Sequence, residues 1–102
     1  MRITIIAVGK VKEKFYRDAI AEFEKRLSKY CKLDIIEVAD EKTPDNASEA
    51  QELIIKSKEG DRILSAVKDD MYVIALAIEG KQLSSTELAD KINKLGISGK
   101  SS

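Results

Sequence analysis

The chain has 102 residues, of which 43% are apolar and 35% are charged, and this length favours a single domain over residues 1–102. Its 18 basic and 18 acidic residues cancel, so a polyanion would be attracted only by a local cluster of lysines and arginines. Histidine is absent and cysteine occurs once, which excludes a Ser-His-Asp triad, Cys-His catalysis, an internal disulfide and a multi-cysteine zinc site.

The first forty residues predict a strand, a helix and a second strand. Arg2–Val8 is an apolar run that ends at Gly9 and predicts a buried strand. From Lys12 the apolar residues recur at intervals of three and four, which predicts an amphipathic helix. Its apolar face consists of Phe15, Ala19, Ile20, Phe23, Leu27 and Tyr30. Residues 33–38 predict the second strand because they are rich in β-branched side chains.

The second half predicts two more helices around a third strand. A loop over residues 39–47 holds the only proline, and Ser48 with Gln51 forms a capping box that begins a helix reaching about Lys68. Residues 71–78 predict a third buried strand. Ser84 and Glu87 form a second capping box, which begins a short helix that Gly96 is expected to end. The order β-α-β-α-β-α predicts an α/β fold with a parallel sheet.

The end of the third predicted strand is the first place to expect a ligand. In open α/β sheets, ligands lie just beyond the carboxyl ends of the strands. Here that position corresponds to residues 76–81, where Gly80 would allow a ligand to approach the backbone closely. A tight turn from strand to helix accounts for the same residues equally well.

Four cations follow the first strand, at Lys10, Lys12, Lys14 and Arg17. They could form a phosphate-binding patch, although a solvated first helical turn has the same spacing. The glycine-rich patterns of Rossmann and P-loop nucleotide sites are absent. The mixed-charge residues Asp40, Glu41 and Lys42 predict a solvated loop, with the orientation of a partner as the alternative. Cys31 is interpreted as a small packing residue.

Six segments in order along the chain resemble the RlmH family (ribosomal RNA large subunit methyltransferase H), of the SPOUT or α/β-knot class. They span residues 5–14, 22–30, 34–37, 40–46, 58–64 and 75–81. The resemblance implies the parallel-sheet β-α-β-α-β-α portion of a SPOUT fold, with the carboxyl-terminal knot missing.

The same resemblance implies a methyltransferase that uses S-adenosylmethionine to methylate a pseudouridine ring nitrogen, N3, in large-subunit (23S) ribosomal RNA. It also implies a homodimer that acts on assembled ribosomes, with no metal. A cytoplasmic location without a membrane is expected separately, because the sequence shows no signal-peptide pattern and no apolar run that approaches about 18 residues. Leu76 matches a residue that contacts the cofactor in the family. Lys10, Lys12, Lys14 and Arg17 then become candidates for contact with RNA.

Family members continue beyond this length, through the region that holds most of the cofactor pocket and the residues of methyl transfer. Catalytic residues are therefore expected outside residues 1–102, and the 102-residue chain alone is predicted to be inactive. In SPOUT sheets a fourth strand lies between the first and third. Without it, we expect the chain either to self-associate or to pair its third strand directly with its first.

Two other classes of function fit the residues. One is a non-catalytic α/β binding or assembly module that uses an exposed sheet edge. The other is a small-molecule-binding domain that uses the crevice at the strand ends.

Overall fold

The sheet consists of two parallel strands joined by a helical crossover. A computed structural model describes all residues 1–102 and gives strand β1 at Arg2–Val8, helix α1 at Lys14–Leu27 and strand β2 at Lys32–Val38. The strands pair in register from Arg2 with Lys32 to Val8 with Val38. A parallel pair needs a crossover of this kind, and the two predicted strands and the first helix are confirmed.

Two more helices complete the structure, α2 at Glu49–Ser65 and α3 at Ser85–Ile97. Both predicted capping boxes form: Ser48 pairs with Gln51 at the start of α2, and Ser84 pairs with Glu87 at the start of α3. Helix α2 runs through Gly60 without a break and ends three residues before the predicted Lys68.

The predicted end of α3 at Gly96 is wrong by one residue, because Gly96 lies within the helix. The chain instead turns at Gly99, whose φ of +97° is readily accessible only to glycine. Gly99 donates a hydrogen bond to the carbonyl of Gly96, and Lys100 donates one to the carbonyl of Leu95. This pair of bonds is the Schellman motif, which satisfies the last carbonyls of a helix.

The prediction of a third strand at residues 71–78 is wrong for this structure, because the segment joins no sheet and its last residue lies in a turn. No residue from Val73 to Glu79 donates a backbone hydrogen bond. A strand is defined by the bonds to its neighbour, and β1 does not pair with this segment. Of the two expectations for the isolated chain, direct pairing of the third strand with the first is therefore also wrong.

The chain end enters the gap between β1 and residues 71–78. The backbone N–H of Arg2 donates to the carbonyl of Ser101 at 2.7 Å, and that of Tyr72 donates to the carbonyl of Ser102 at 3.0 Å. Residues 101 and 102 thus hydrogen-bond to both sides of the gap. Beyond this point neither side has a partner.

The sheet and the helices do not enclose a buried core. No residue of the chain is buried, and the radius of gyration is 16.0 Å, whereas a compact domain of about 100 residues has a radius near 13 Å. Both faces of a parallel sheet are normally covered. Here α1 and α2 contact the sheet, but Ile5, Ile35 and Ile36 on the strands stay partly exposed.

The capping box of α3 should make that helix sensitive to acid. The backbone N–H and hydroxyl of Ser84 hydrogen-bond Glu87 and hold the pKa of its carboxyl below the ordinary 4.5. Since the pKa is lowered in the folded state, the stabilisation is complete above 4.5 and is lost as pH falls through the lower folded value. Circular dichroism should therefore show that helix is lost between pH 7 and pH 3. In Glu87→Gln this pH-dependent loss should be absent, because glutamine does not titrate.

Helix α2 provides the control for this measurement, because its capping box uses Gln51, which does not titrate. Amide exchange should show fraying at the start of α3 in acid while the start of α2 stays protected. Identical acid profiles for the original chain and Glu87→Gln would contradict this role of the carboxylate.

Candidate cofactor wall and RNA-facing surface

The carboxyl ends of β1 and β2 are joined by a backbone hydrogen bond from Gly9 to the carbonyl of Val38, at 2.8 Å. Gly9 has a φ of +84°, so glycine suits the sharp exit from β1. A side chain at this position would also meet the Cβ of Asp40 at 4.0 Å. The two strand ends therefore hold the connections that follow them close together.

The loop after β2 is anchored to α2. The guanidinium of Arg62 donates to the carbonyl of Ala39 at 2.9 Å and to the Glu41 carboxylate at 2.5 Å. The Glu59 carboxylate accepts the backbone N–H of Glu41 at 3.1 Å. Glu41 is consequently half-buried, and the expectation of a fully solvated loop is wrong at this residue. We call Arg62, Glu59 and Glu41 the loop clamp.

The loop clamp was not predicted from the sequence. Glu59 and Arg62 are three residues apart and share a helical face, but they act on a loop that lies 18 to 23 residues earlier in the chain. Nothing in the spacing indicates which loop they reach. Only the complementary charges of Glu41 and Arg62 could have suggested the pair.

Replacing Arg62 by alanine should destabilise the protein by about 1–2 kcal/mol, because two hydrogen bonds are lost and partly exposed charges are screened by water. Urea unfolding measures this free energy, and amide exchange at Glu41 reports the loop directly. The control is Arg26→Ala, which removes an exposed pair with Glu22 at 3.0 Å and should cost under about 0.5 kcal/mol. Equal losses in the two variants would show that the loop clamp adds nothing.

Leu76 lies within residues 73–81 and is exposed to solvent. Its side chain is 97% exposed, and Ile78 is fully exposed. The segment ends in a turn in which the N–H of Gly80 bonds to the carbonyl of Ala77 at 2.9 Å. A side chain on residue 80 would approach that carbonyl oxygen to 3.0 Å, so the tight turn by itself favours glycine here. Glu79 is exposed and forms no ion pair.

The segment around Leu76 presents exposed apolar side chains beside backbone N–H groups that form no hydrogen bond. Apolar side chains and unpaired backbone N–H groups together suit a ligand with a flat apolar part and polar edges. Nothing in residues 1–102 covers Leu76 from the other side. Its assignment as a cofactor contact remains a prediction.

The four predicted cations lie together on one exposed connection. Lys10 and Lys12 precede α1, while Lys14 and Arg17 lie in its first turn. Lys14 pairs with Asp18 at 3.7 Å, and both side chains are largely exposed. The other three cations form no ion pair. An exposed pair of this kind is worth little, so the four charges are available to an anionic partner.

The structure contains neither a metal-binding cluster nor a membrane-spanning helix. No cluster of three or more histidine, cysteine, aspartate or glutamate side chains is placed to hold a metal ion. None of the three helices combines the length and apolar character that crossing a membrane requires.

Comparison with known proteins identifies the class. The family model described as a predicted SPOUT methyltransferase matches residues 1–102, and the chain belongs to this family. The parallel β1–α1–β2 unit and the helices that follow are consistent with part of such a domain.

Individual relatives define the similarity further. The chain is 65% identical over 101 residues to a Bifidobacterium adolescentis protein named ribosomal RNA large subunit methyltransferase H, covering 99% of this chain and 64% of the relative. Proteins of the same name from Clostridium novyi and Clostridium beijerinckii are 64% and 62% identical, and the chain covers 64% and 62% of their lengths. The chain thus spans less than two thirds of these relatives.

Proposed function

We propose that residues 1–102 form part of a methyltransferase that acts on large-subunit ribosomal RNA. The observation that carries this proposal is the 65% identity, over 99% of the chain, to a relative with that name. The proposed reaction transfers a methyl group to N3 of a pseudouridine, and the proposed setting is a cytoplasmic homodimer on the assembled ribosome.

S-adenosylmethionine is the proposed cofactor, and it would supply the methyl group. Leu76 and Ile78 offer apolar surface for its adenosine part, and the unpaired N–H groups of the same segment could bind its polar atoms. No described side chain faces Leu76 from the opposite side. The pocket and the catalytic groups therefore require residues outside 1–102, and the 102-residue chain alone is proposed to be inactive.

A chimera tests this function. Residues 1–102 are joined to the remaining part of the Bifidobacterium adolescentis relative, and we call this protein the extended chain. It is mixed with labelled S-adenosylmethionine and ribosomes from a strain that lacks the corresponding enzyme. The expected result is one methyl group per large subunit, located by mass spectrometry on a pseudouridine, and no transfer by the 102-residue chain.

Ribosomes without pseudouridine provide the matched control and should accept no methyl group. An extended chain that folds as a stable dimer but transfers nothing, while the intact relative is active under the same conditions, would overturn the proposal for these residues. Methylation of ribosomes that lack pseudouridine would overturn the assignment of the nucleotide.

One observation favours a second candidate, a non-catalytic module that binds a partner strand. The unpaired N–H groups of residues 73–79 are the kind of edge to which an extended peptide adds. This candidate requires the 102-residue chain to bind a partner in its own right. Methyl transfer by the extended chain, together with no binding of a partner strand by the 102-residue chain, would exclude this candidate.

A further inference from the structure

Two aromatic rings lie in contact with each other at the start of α1 and in contact with solvent. The centroids of Phe15 and Tyr16 are 4.2 Å apart with an interplanar angle of 40°. Their side chains are 65% and 56% exposed. Many large apolar side chains of this chain are exposed, but Phe15 and Tyr16 form its only contacting pair of aromatic rings.

The position of α1 does not account for these rings. The helix packs on β2, and within it only Ile20 is half-buried while all other side chains are exposed. Phe15 and Tyr16 precede that contact by more than one turn. They are therefore free to contact a partner without any change in how α1 packs on the sheet.

The charges around the rings indicate what kind of partner fits. Residues 10–18 carry four cations, at Lys10, Lys12, Lys14 and Arg17, against two carboxylates, at Glu13 and Asp18. Asp40 adds a third carboxylate beside Gly9. Lys10, Lys12 and Arg17 are exposed and have no ion-pair partner within the chain, so they are free to neutralise the charges of a polyanion. A chain of phosphates would pair them.

We propose that Phe15 and Tyr16 form a stacking platform for an unpaired RNA base, with Lys10, Lys12 and Arg17 along the adjoining phosphates. Bases that are splayed out of a helix commonly stack on aromatic side chains, and basic residues beside them follow the backbone. This inference rests on the proposed RNA substrate and adds to it the element that would hold a single-stranded nucleotide.

Equilibrium binding of a hairpin RNA with a loop of unpaired uridines tests the platform, using the extended chain at several salt concentrations. Phe15→Ala and Tyr16→Ala should each weaken binding about 5- to 150-fold, the range found for removing one stacking contact. The slope of log affinity against log salt should stay unchanged. Lys12→Ala should instead lower that slope by about 0.7, because it removes one phosphate contact to a single strand.

Phe23 provides the matched control, since it is 61% exposed on the same helix with Arg26 over its ring at 5.9 Å. Phe23→Ala should leave RNA affinity within about twofold of the original, because the ring lies two turns from the basic stretch. Phe15→Trp should retain binding, because it keeps a flat ring. Phe15→Leu should lose it while keeping apolar bulk, which separates stacking from packing.

The outcomes distinguish the platform from the function on which it rests. If the extended chain binds neither the hairpin nor ribosomes, the proposed function and the platform both fail. If it binds RNA and Phe15→Ala and Tyr16→Ala bind equally well, the platform alone fails. A third outcome is that Phe15→Ala and Phe23→Ala both lose the dimer or thermal stability while RNA affinity stays unchanged. This outcome would show that the rings pack against protein and do not stack on RNA.

Discussion

The 102-residue chain is expected to bind S-adenosylmethionine about 1,000-fold more weakly than the extended chain, a difference near 4 kcal/mol. Small-molecule sites bury most of the ligand surface, whereas Leu76 is 97% exposed and has no facing wall. Calorimetry should therefore give millimolar or undetectable binding for the 102-residue chain and micromolar binding for the extended chain.

Leu76→Asp in the extended chain is the matched variant for this measurement. A carboxylate would replace an apolar contact, so cofactor affinity should fall at least tenfold while the dimer remains. Equal affinity of the 102-residue and extended chains would show that residues beyond 102 do not form the pocket. Unchanged affinity in Leu76→Asp would remove that residue from the site.

The 102-residue chain is also expected to self-associate, because residues 73–79 present unpaired backbone groups together with exposed apolar side chains. Open edges of this kind promote association between chains. Sedimentation across a range of concentrations should show mass rising with concentration. Leu76→Lys combined with Ile78→Lys should weaken association more than tenfold, since charges on an edge oppose pairing.

Leu53→Lys provides the control, because Leu53 is also an exposed apolar residue, at 67%, but belongs to α2 and not to residues 73–79. It should leave the association constant nearly unchanged. A chain that stays monomeric at high concentration would contradict the expectation. Equal suppression by Leu53→Lys would show that association uses apolar surface in general and not this edge.

Features that depend on neighbours in sequence were predicted from the sequence. The capping boxes at Ser48 and Ser84 need only a hydroxyl and a glutamine or glutamate three residues later. Strand β1 follows from a short apolar run, β2 from its β-branched side chains, and α1 from its helical periodicity. These elements form because the interactions that define them lie within one turn or across one crossover.

Features that depend on distant residues were not predicted. Residues 71–78 have the composition of a strand, yet a strand requires a hydrogen-bonded neighbour that residues 1–102 do not provide. The loop clamp joins Arg62 to a loop more than 20 residues away. Gly96 was expected to end α3, but Gly99 is the glycine that adopts positive φ after this helix.

The candidate site residues also differ in whether neighbours in sequence or distant residues determine their role. Lys10, Lys12, Lys14 and Arg17 were predicted as a group because they are adjacent in sequence, and the structure places them on one exposed connection. Leu76 was selected from its position at a predicted strand end and from family resemblance. Its role remains a prediction because no side chain of residues 1–102 covers Leu76.

Amide hydrogen exchange at residues 73–78 tests the central claim most directly. In the 102-residue chain at low concentration, these amides should exchange at nearly the rate of an unstructured peptide. The amides of Thr4 and Ile6, which lie on the same side of β1 as the N–H of Arg2, should exchange equally fast. In the extended chain they should be protected at least 1,000-fold, since a strand between the two segments would pair them. Rapid exchange of residues 73–78 in a folded extended chain would contradict the claim that this segment is one side of an unfilled strand position.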